Sequence, residues 1–321
     1  MSKKACIQGV GMILAEKTRV AERVTLKHIR LSWLEARPVV QGIFALRFTC
    51  GALLADFHAN GAVWPTGFAV LACWVAAMWA VYVMNGIADI VEDRENGSER
   101  PIASGLLPVR AAGAIVGVLC TASLCVAALI SPWVCLLVVL QLGIGYAYSM
   151  GPFPLKGNVP GFFGAVVMLG SLTYLAGWTA TGAGHIGPSL LVFGGAMSLW
   201  MGCGGATKDL SDVDGDRVAG RRTLPVVLGD RAARIIMAIA ASAVGWGFLG
   251  ASLMWVPALA PVGMVVCAGS VVLAIVAAAP MSHGDRFRRR RPYRVFMITQ
   301  YCAHLTLMLS MILNWQSAML V

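Results

Sequence analysis

The chain has 321 residues, of which 58% are hydrophobic and only 12% are charged. A soluble domain carries about 25% charged residues, so this composition excludes an ordinary soluble protein. The formal net charge of +10 could attract nucleic acid. However, the basic residues are distributed as in a membrane protein, and we therefore expect a lipid bilayer and no nucleic acid as the partner.

The apolar residues form nine runs of about the length that crosses a bilayer as a helix, which is roughly 20 residues. We predict an all-α, polytopic membrane bundle of nine transmembrane helices. The predicted spans are residues 39–57, 63–88, 109–130, 132–149, 161–181, 187–206, 232–253, 257–279 and 295–316. They make up a predicted transmembrane domain, 39–316, between a basic, interfacial N-terminal segment, 1–38, and a short tail, 317–321.

The basic residues predict the orientation of the bundle. Eight of the 25 Lys and Arg precede residue 39, and the loops after even-numbered spans carry most of the others. The loops after odd-numbered spans carry none. Because cytoplasmic loops are enriched in Lys and Arg, we expect an integral cell-membrane protein with a cytoplasmic N-terminus and an external C-terminus. The basic run at 286–294 is expected to bind anionic lipid at the cytoplasmic surface.

Nine of the fifteen acidic residues occupy two short segments, each at the end of an even-numbered span. They are Asp89, Glu92, Asp93, Glu95 and Glu99 in the first segment, and Asp209, Asp212, Asp214 and Asp216 in the second. The predicted topology puts both segments on the cytoplasmic side. Two acidic clusters on one face, four spans apart, indicate a pseudo-repeated bundle with one shared site.

The spacing within these segments predicts a metal site. Asn85, Asp89 and Asp93 are four residues apart, so on a helix they share one face, with a drift of about 40° per step. Asp212 and Asp216 have the same spacing. Stacked carboxylates repel each other unless a cation intervenes, and Mg²⁺ prefers oxygen ligands that it shares with substrate phosphates. We therefore predict that these five residues bind Mg²⁺.

Basic residues beside the acidic segments suggest that the substrate is an oxyanion. The residues that we expect to bind this phosphorylated group are Arg47, Arg94, Arg100, Lys156 and Lys208. Of these, Arg47 lies within a span and could reach the site by snorkelling or pair with helix carbonyls. Two other interpretations are a solvated helix end and an ion-coupled carrier. A carrier places its ionisable groups near the membrane midplane, whereas here the acids lie at span ends.

Three stretches of the sequence together resemble the UbiA superfamily of intramembrane prenyltransferases. "NGIADIVED" (85–93) and "DVDGD" (212–216) are similar to the two Asp-rich motifs of that family. "ERPIASGLLP" (99–108) and "DGDRVAGRRTLPVVLG" (214–229) resemble the segments that follow them, and "YAYSMGPFPLKGN" (146–158) resembles a loop of the chlorophyll-synthase-like branch. Many members have Asp after the first Asn, where this chain has Gly86.

The resemblance implies Mg²⁺-dependent transfer of a prenyl group from a prenyl diphosphate to an aromatic or other small acceptor, with two Mg²⁺ ions between the motifs. Asp209 is then either a group that contacts the metal ligands or a proton acceptor, and Lys208 stabilises the leaving diphosphate. Tyr148 could shield the allylic cation, as could Tyr82, Tyr146 or Trp200. The alternatives within the family are a terpene cyclase that needs no acceptor and a polyprenyl-phosphate phosphoribosyltransferase.

Overall fold

The computed structural model describes residues 24–55 and 64–319, so predictions for 1–23, 56–63 and 320–321 lie outside the described residues. The α-helices are α1 (Leu26–Glu35), α2 (Pro38–Leu53), α3 (Trp64–Ala88), α4 (Ile90–Glu95), α5 (Val109–Ile130), α6 (Pro132–Ser149), α7 (Val159–Thr179), α8 (Pro188–Gly205), α9 (Asp209–Val218), α10 (Leu224–Leu228), α11 (Asp230–Trp255), α12 (Ala260–Ala278), α13 (Arg286–Arg289) and α14 (Arg291–Met319). Short 3₁₀ turns are Leu155–Gly157, Ala206–Lys208, Pro257–Leu259 and Pro280–Ser282.

The helices confirm the predicted polytopic bundle. In the described part of the chain, eight helical segments are long and apolar enough to cross a membrane. A shorter apolar helix, α2, has 16 residues and stands at the position of the first predicted span. Together they occupy all nine predicted positions. The chain is therefore an integral, multi-pass membrane protein.

The helix before the first span, α1, is fixed at both ends by local chemistry. Thr25 caps its start, because the Thr25 hydroxyl accepts a hydrogen bond from His28 N at 3.4 Å and the His28 ring accepts one from Thr25 N at 3.3 Å. At its end Arg37 has a φ of 58°, a left-handed conformation that side chains other than glycine rarely adopt. Pro38 then begins α2, as proline favours a first helical position.

The centre of the bundle depends on a close contact between α2 and α7. A Cβ on Gly51 would lie 2.1 Å from Tyr174 O, and a Cβ on Gly177 would lie 1.9 Å from Phe48 O. Small residues let helix backbones approach closely in membranes, where apolar side chains gain little by leaving lipid. Two buried apolar clusters lie around this contact, one centred on α8, α11, α12 and α14, the other on α2, α3, α6 and α7.

The two acidic segments continue spanning helices and meet at one end of the bundle. The helical hydrogen bonds of the backbone continue from α3 into α4, since Asp89 N donates to Asn85 O at 3.0 Å. α8 likewise continues through the turn Ala206–Lys208 into α9. α4 and α9 touch where Gly215 N donates to Asn96 Oδ1 at 3.1 Å. A Cβ on Gly215 would lie 2.2 Å from Asn96 Nδ2, so the glycine in the second motif permits this contact.

Candidate active site

The side chains of the first motif point in two directions. Asn85 Nδ2 donates to Asp89 Oδ2 at 2.8 Å, and Lys156 Nζ donates to Asp89 Oδ1 and, at 3.2 Å, to Asn85 Oδ1. Asp93 instead accepts a hydrogen bond from Arg100 Nη1 at 2.8 Å. The drift of about 40° per four residues carries Asp93 furthest from Asn85, and Arg100 holds it there. Asn85 and Asp89 face a cavity between the helices, whereas Asp93 faces the loop after α4.

The second motif is divided in the same way. Asp216 faces the cavity and accepts a hydrogen bond from Arg221 Nη1 at 3.3 Å. Asp212 pairs with Lys208 and also accepts a hydrogen bond from Arg286 Nη2 at 3.1 Å. Each motif therefore offers oxygen atoms to the cavity and holds one further aspartate in an ion pair beside it.

The two motif helices also end alike. α4 is followed by Gly97 with a φ of 61°, and α9 by Gly220 with a φ of 72°, a left-handed conformation that glycine adopts without strain. The chain then turns back, and an arginine pairs with the last aspartate of each motif, Arg100 in the first and Arg221 in the second. We did not predict Arg221 from the sequence. A Gly four residues after each motif is the signal that could have identified it.

Arg221 connects the two motifs. Its Nη2 lies 2.5 Å from Asp89 Oδ1 and 2.7 Å from Glu92 Oε1, while its Nη1 contacts Asp216. Burial favours a neutral carboxyl at Asp89, but the charges of Lys156 and Arg221 outweigh burial and hold the pKa of Asp89 at about 2. Burial opposes the charge of Arg221 as well, yet the three carboxylates raise its pKa. Both groups are therefore ionised at neutral pH.

Lys156 reaches the site from the loop between α6 and α7. The turn Leu155–Gly157 carries it, and an isolated parallel bridge between Asn158 and Arg222 fixes this loop to the segment after the second motif. Lys156 is only 5% exposed. Burial lowers its pKa, while the adjacent Asp89 favours the ammonium form. The segment 146–158, which resembles a loop of the family, thus carries a cation, Lys156, that contacts Asn85 and Asp89 of the first motif.

The space that these side chains share, which we call the inner cavity, has a volume of about 160 Å³. Three of the five predicted metal ligands line it, namely Asn85, Asp89 and Asp216. The other predicted site residues that line it are Arg47, Tyr148, Lys156, Lys208 and Asp209. Its remaining wall is mostly apolar, so the cavity combines a charged end with a lipid-like interior.

Asp209 and two tyrosines are placed for direct contact with a bound molecule. Asp209 is half-buried, and in the described chain no group donates a hydrogen bond to its carboxylate. The rings of Tyr82 and Tyr148 both border the inner cavity. The two other aromatic candidates do not, since Tyr146 is 55% exposed and Trp200 is fully buried in the core.

Two of the predicted cations lie away from the inner cavity. Arg94 is exposed, and its Nε donates to Ala103 O at 2.9 Å. Arg100 pairs with Asp93 on one side and with Glu35 Oε1, at 2.6 Å, on the other. Their predicted contact with diphosphate stays a prediction. In this structure both hold the loop after the first motif.

Arg47 lies deep in the inner cavity. Its Nη2 donates to Gln300 Oε1 at 2.6 Å, and its guanidinium lies 5.2 Å from the centre of the Phe44 ring. No carboxylate of the described residues pairs with it. An intramembrane cation without an acidic partner is costly, which favours a role in binding over a purely structural one.

Glu35 at the end of α1 is a carboxylate that we did not predict from the sequence. It is fully buried, and Ile102 N donates to its Oε2 at 2.9 Å. Its Oε1 lies where a side chain at position 86 would be, because a Cβ on Gly86 would come within 2.1 Å of it. Burial raises the pKa of Glu35, and Arg100 opposes that effect. Glu35 thus fills the space left by the small residue after Asn85.

The residues present fit a hard divalent cation by their chemistry. The oxygen atoms of Asn85, Asp89 and Asp216 face one cavity, and amide and carboxylate oxygens are ligands that Mg²⁺ prefers. Among the residues that the structure describes, no three His, Cys, Asp or Glu side chains already converge as a ligand set. The carboxylates pair instead with Lys and Arg, so cation binding requires these pairs to open.

A comparison with known families decides where the chain belongs. The sequence profile of the UbiA prenyltransferase family matches residues 45–300. The chain belongs to this family. The match covers both acidic motifs and the Lys156 loop, and it confirms the resemblance recognised from their residues.

Curated relatives within the UbiA family share a name. A digeranylgeranylglyceryl phosphate synthase from Halobacterium salinarum is 34% identical over 247 residues, which cover 71% of this chain and 82% of that protein. A protein of the same name from Natronomonas pharaonis is 33% identical over 184 residues, covering 56% of this chain and 63% of that one.

Solved structures show the same UbiA fold. A UbiA homologue from Archaeoglobus fulgidus, bound to DMAPP and Mg²⁺, aligns with a TM-score of 0.61 and 20% identity over 87% of this chain and 99% of that one. The same homologue bound to GPP and Mg²⁺ aligns with a TM-score of 0.62 and 19% identity, over 86% and 99%. At these identities the likeness establishes the fold of the bundle.

Proposed function

We propose that this UbiA-family protein transfers a prenyl group from a prenyl diphosphate to a small acceptor in the membrane, with Mg²⁺ as cofactor. The observation that carries the proposal is the inner cavity. There, oxygen ligands from both motifs face Lys156, Lys208 and Arg221 at the charged end of an otherwise apolar space. The homologue bound to prenyl diphosphates and Mg²⁺ supports the same assignment.

Two groups of side chains would hold the donor, one by binding Mg²⁺ and the other by contacting the diphosphate. Mg²⁺ would be held by Asn85, Asp89 and Asp216 in the cavity, with Asp93 and Asp212 joining when their ion pairs open, and we propose two ions. When bound, Mg²⁺ would neutralise the leaving diphosphate. Lys156, Lys208 and Arg221 add fixed positive charge there, and the apolar wall keeps water from the allylic carbon.

The proposed transfer step breaks one bond, forms another and passes a proton to a residue that lines the cavity. The allylic C–O bond of the donor breaks, and its electron pair leaves with the diphosphate. A nucleophilic atom of the acceptor forms a bond to the allylic carbon, and the proton that the acceptor loses passes to a base. We assign Asp209 as that base, since its carboxylate faces the cavity and accepts no hydrogen bond from the described residues. Tyr148 presents its ring to the developing cation.

The acceptor class distinguishes three enzyme hypotheses. An aromatic acceptor is the expectation from the resemblance. A terpene cyclase would need no acceptor, and a phosphoribosyltransferase would use a polyprenyl phosphate in place of the diphosphate. The names of the curated relatives favour a further acceptor class, a glyceryl phosphate lipid. The predicted orientation, with the charged end of the cavity on the cytoplasmic side, is part of the proposal.

Diphosphate release by the purified protein in lipid nanodiscs tests the proposal. Geranyl, farnesyl and geranylgeranyl diphosphates are offered with Mg²⁺ or with EDTA, each with and without a pool of acceptors, and products are analysed by mass. Metal-dependent release that requires an acceptor is the expected result. Release without acceptor would indicate a cyclase. No release from any donor would contradict the proposal and favour a carrier.

A further inference from the structure

A second concave region, which we call the outer groove, lies beside the inner cavity. It runs between α1, the start of α2, the loop after α4 and the start of α14. Four residues, Arg37, Val40, Tyr293 and Met297, line both spaces, so the groove adjoins the inner cavity. The motif residues Asn85, Asp89 and Asp216 line the inner cavity but not the groove.

The outer groove has an excess of positive charge. Arg37, Arg290 and Arg294 line it, and none of them pairs with a carboxylate of the described residues. Arg290 Nε donates to Ser211 Oγ at 3.3 Å, and the Arg294 guanidinium lies 4.0 Å from the centre of the Phe287 ring. Both contacts orient a cation without neutralising it.

The other charges of the groove do not cancel this excess. Arg100 and Arg286 also line the groove but are already paired with carboxylates. Glu99 is the acidic residue among those that line it, and it is exposed. Three unpaired cations and one carboxylate leave a net positive charge, which is similar in size and opposite in sign to the charge of a phosphomonoester, about −1.5 to −2 at neutral pH.

The groove is apolar along its outer edge. Leu34, Val39, Leu106 and Ile298 line it and are 47%, 65%, 57% and 63% exposed, respectively. Exposed apolar side chains of this kind provide a surface along which a hydrocarbon chain can lie. A phosphate group and an apolar chain would therefore both find matching surfaces within one groove.

The backbone at Arg37 holds that arginine at the junction of the two spaces. Its φ of 58° is strained for a residue with a side chain, and residues held in such conformations cluster at functional sites. The following residue, Pro38, fixes the start of α2. This turn places Arg37 in the wall of both the groove and the inner cavity.

We propose that the outer groove binds the phosphomonoester headgroup of an amphiphilic acceptor, with Arg37, Arg290 and Arg294 as the phosphate-binding residues. The headgroup lies in the groove, and the acceptor's nucleophile reaches the inner cavity past Tyr293. The groove suits the acceptor better than the donor, because the metal-binding oxygens that the donor needs lie in the other space. This inference rests on the proposed prenyl transfer, for which it assigns the residues that bind the acceptor's headgroup.

Binding without turnover tests the inference. A tritiated single-chain alkylglycerol phosphate is equilibrated with the protein in nanodiscs, alongside the matching alkylglycerol that lacks phosphate. A phosphatidylglycerol diester serves as competitor. The variants are the double variant Arg290→Gln/Arg294→Gln and, as matched control, Arg288→Gln. Arg288 lies on α13, is 58% exposed in its side chain and does not line the groove.

We expect the phosphomonoester to bind at least tenfold more tightly than the alkylglycerol, and the double variant to lose about tenfold of that affinity. Arg288→Gln should bind as the unmodified chain does. Equal binding of the two ligands, or equal losses in both variants, would overturn the inference. Equal competition by the diester would also overturn it, because the groove would then be a general contact for bilayer lipid.

A separate measurement distinguishes this inference from the proposed function. Mg²⁺-dependent binding of geranylgeranyl thiodiphosphate, an unreactive donor analogue, reports on the inner cavity alone. We expect the double variant to retain it, which also shows that the variant is folded. Donor binding without phosphomonoester binding in the unmodified chain contradicts only the groove assignment. Absence of donor binding contradicts the proposed function itself.

Discussion

The inner cavity and the outer groove both use basic side chains, but they balance them differently. At the charged end of the inner cavity, Lys156 and Arg221 contact Asp89, so both of these cations face a carboxylate. In the outer groove, Arg290 and Arg294 have no carboxylate partner among the described residues. A matched set of charges suits a metal ion together with a polyanion, whereas an unmatched set of cations suits an anion alone. This difference is the basis on which we propose the inner cavity as the donor site and the outer groove as the acceptor site.

The largest expected effect comes from removing the oxygen ligands of the inner cavity. Asp89→Ala and Asp216→Ala should each lower the rate of diphosphate release by about a thousandfold or more, because the leaving group loses its metal-borne charge. Release is measured in nanodiscs with Mg²⁺ at saturating donor. The matched control is Asp214→Ala on the same helix, whose side chain is 76% exposed. Full activity in either variant would contradict the metal assignment.

Replacing Arg221, the cation that connects the two motifs, should destabilise the charged end of the bundle. Arg221→Ala leaves Glu92 and Asp216 without an ion pair among the described residues, while Asp89 keeps its pair with Lys156. We expect a loss of about 3 kcal/mol in the free energy of unfolding, since breaking a buried ion pair leaves a buried charge. Arg217→Ala, at a surface pair 64% exposed, should cost under about 1 kcal/mol. Denaturation in detergent, followed by tryptophan fluorescence, gives both values.

Enlarging Gly86 tests whether the carboxylate of Glu35 occupies the space beside this glycine. A Cβ there would meet Glu35 Oε1 at 2.1 Å, so we expect Gly86→Ala to cost about 1 to 3 kcal/mol of stability. Gly113→Ala, where an added Cβ meets nothing within 4 Å, should be neutral or stabilising. A double variant that adds Glu35→Ala should cost less than the sum of the two single changes. Strict additivity would show that the two positions do not interact.

The smallest expected effect is a difference between the outer groove and the inner cavity in how strongly salt weakens ligand binding. Raising salt from about 0.05 to 0.5 M shortens the screening length to a few ångströms. Binding of the phosphomonoester in the open outer groove should then weaken severalfold. Mg²⁺-dependent binding of the donor analogue, in the more enclosed inner cavity, should change less. An equal salt dependence of the two would indicate that the two spaces do not differ in charge balance.

Much of this architecture could be predicted from local sequence patterns. The nine apolar runs predicted the positions of the helices, because a span needs only length and hydrophobicity. The four-residue spacing of Asn85 and Asp89 placed both side chains on one helix face, and both line the inner cavity. Lys156 was predicted as a basic residue on the loop after the fourth span. In each case the signal lies within about twenty consecutive residues.

Other features depended on contacts between distant parts of the chain. The spacing alone could not show that Asp93 and Asp212 turn away from the cavity, since that depends on Arg100 and Arg286, which approach from other segments. Glu35 lies in a segment that we had described only as basic and interfacial. Its role appears only when α1 packs against α3 and its carboxylate occupies the space beside Gly86.

The sequence by itself determined the membrane-spanning helices, the two acidic motifs and the family. Hydrophobicity and helical period act locally, so they can be read along the chain. The tertiary structure decided which charges neutralise one another and which remain unpaired. Electrostatic pairing depends on distance in space, and Arg221 meets Asp89 across 132 positions of sequence. Only the folded bundle could therefore separate the charge-matched inner cavity from the cationic outer groove.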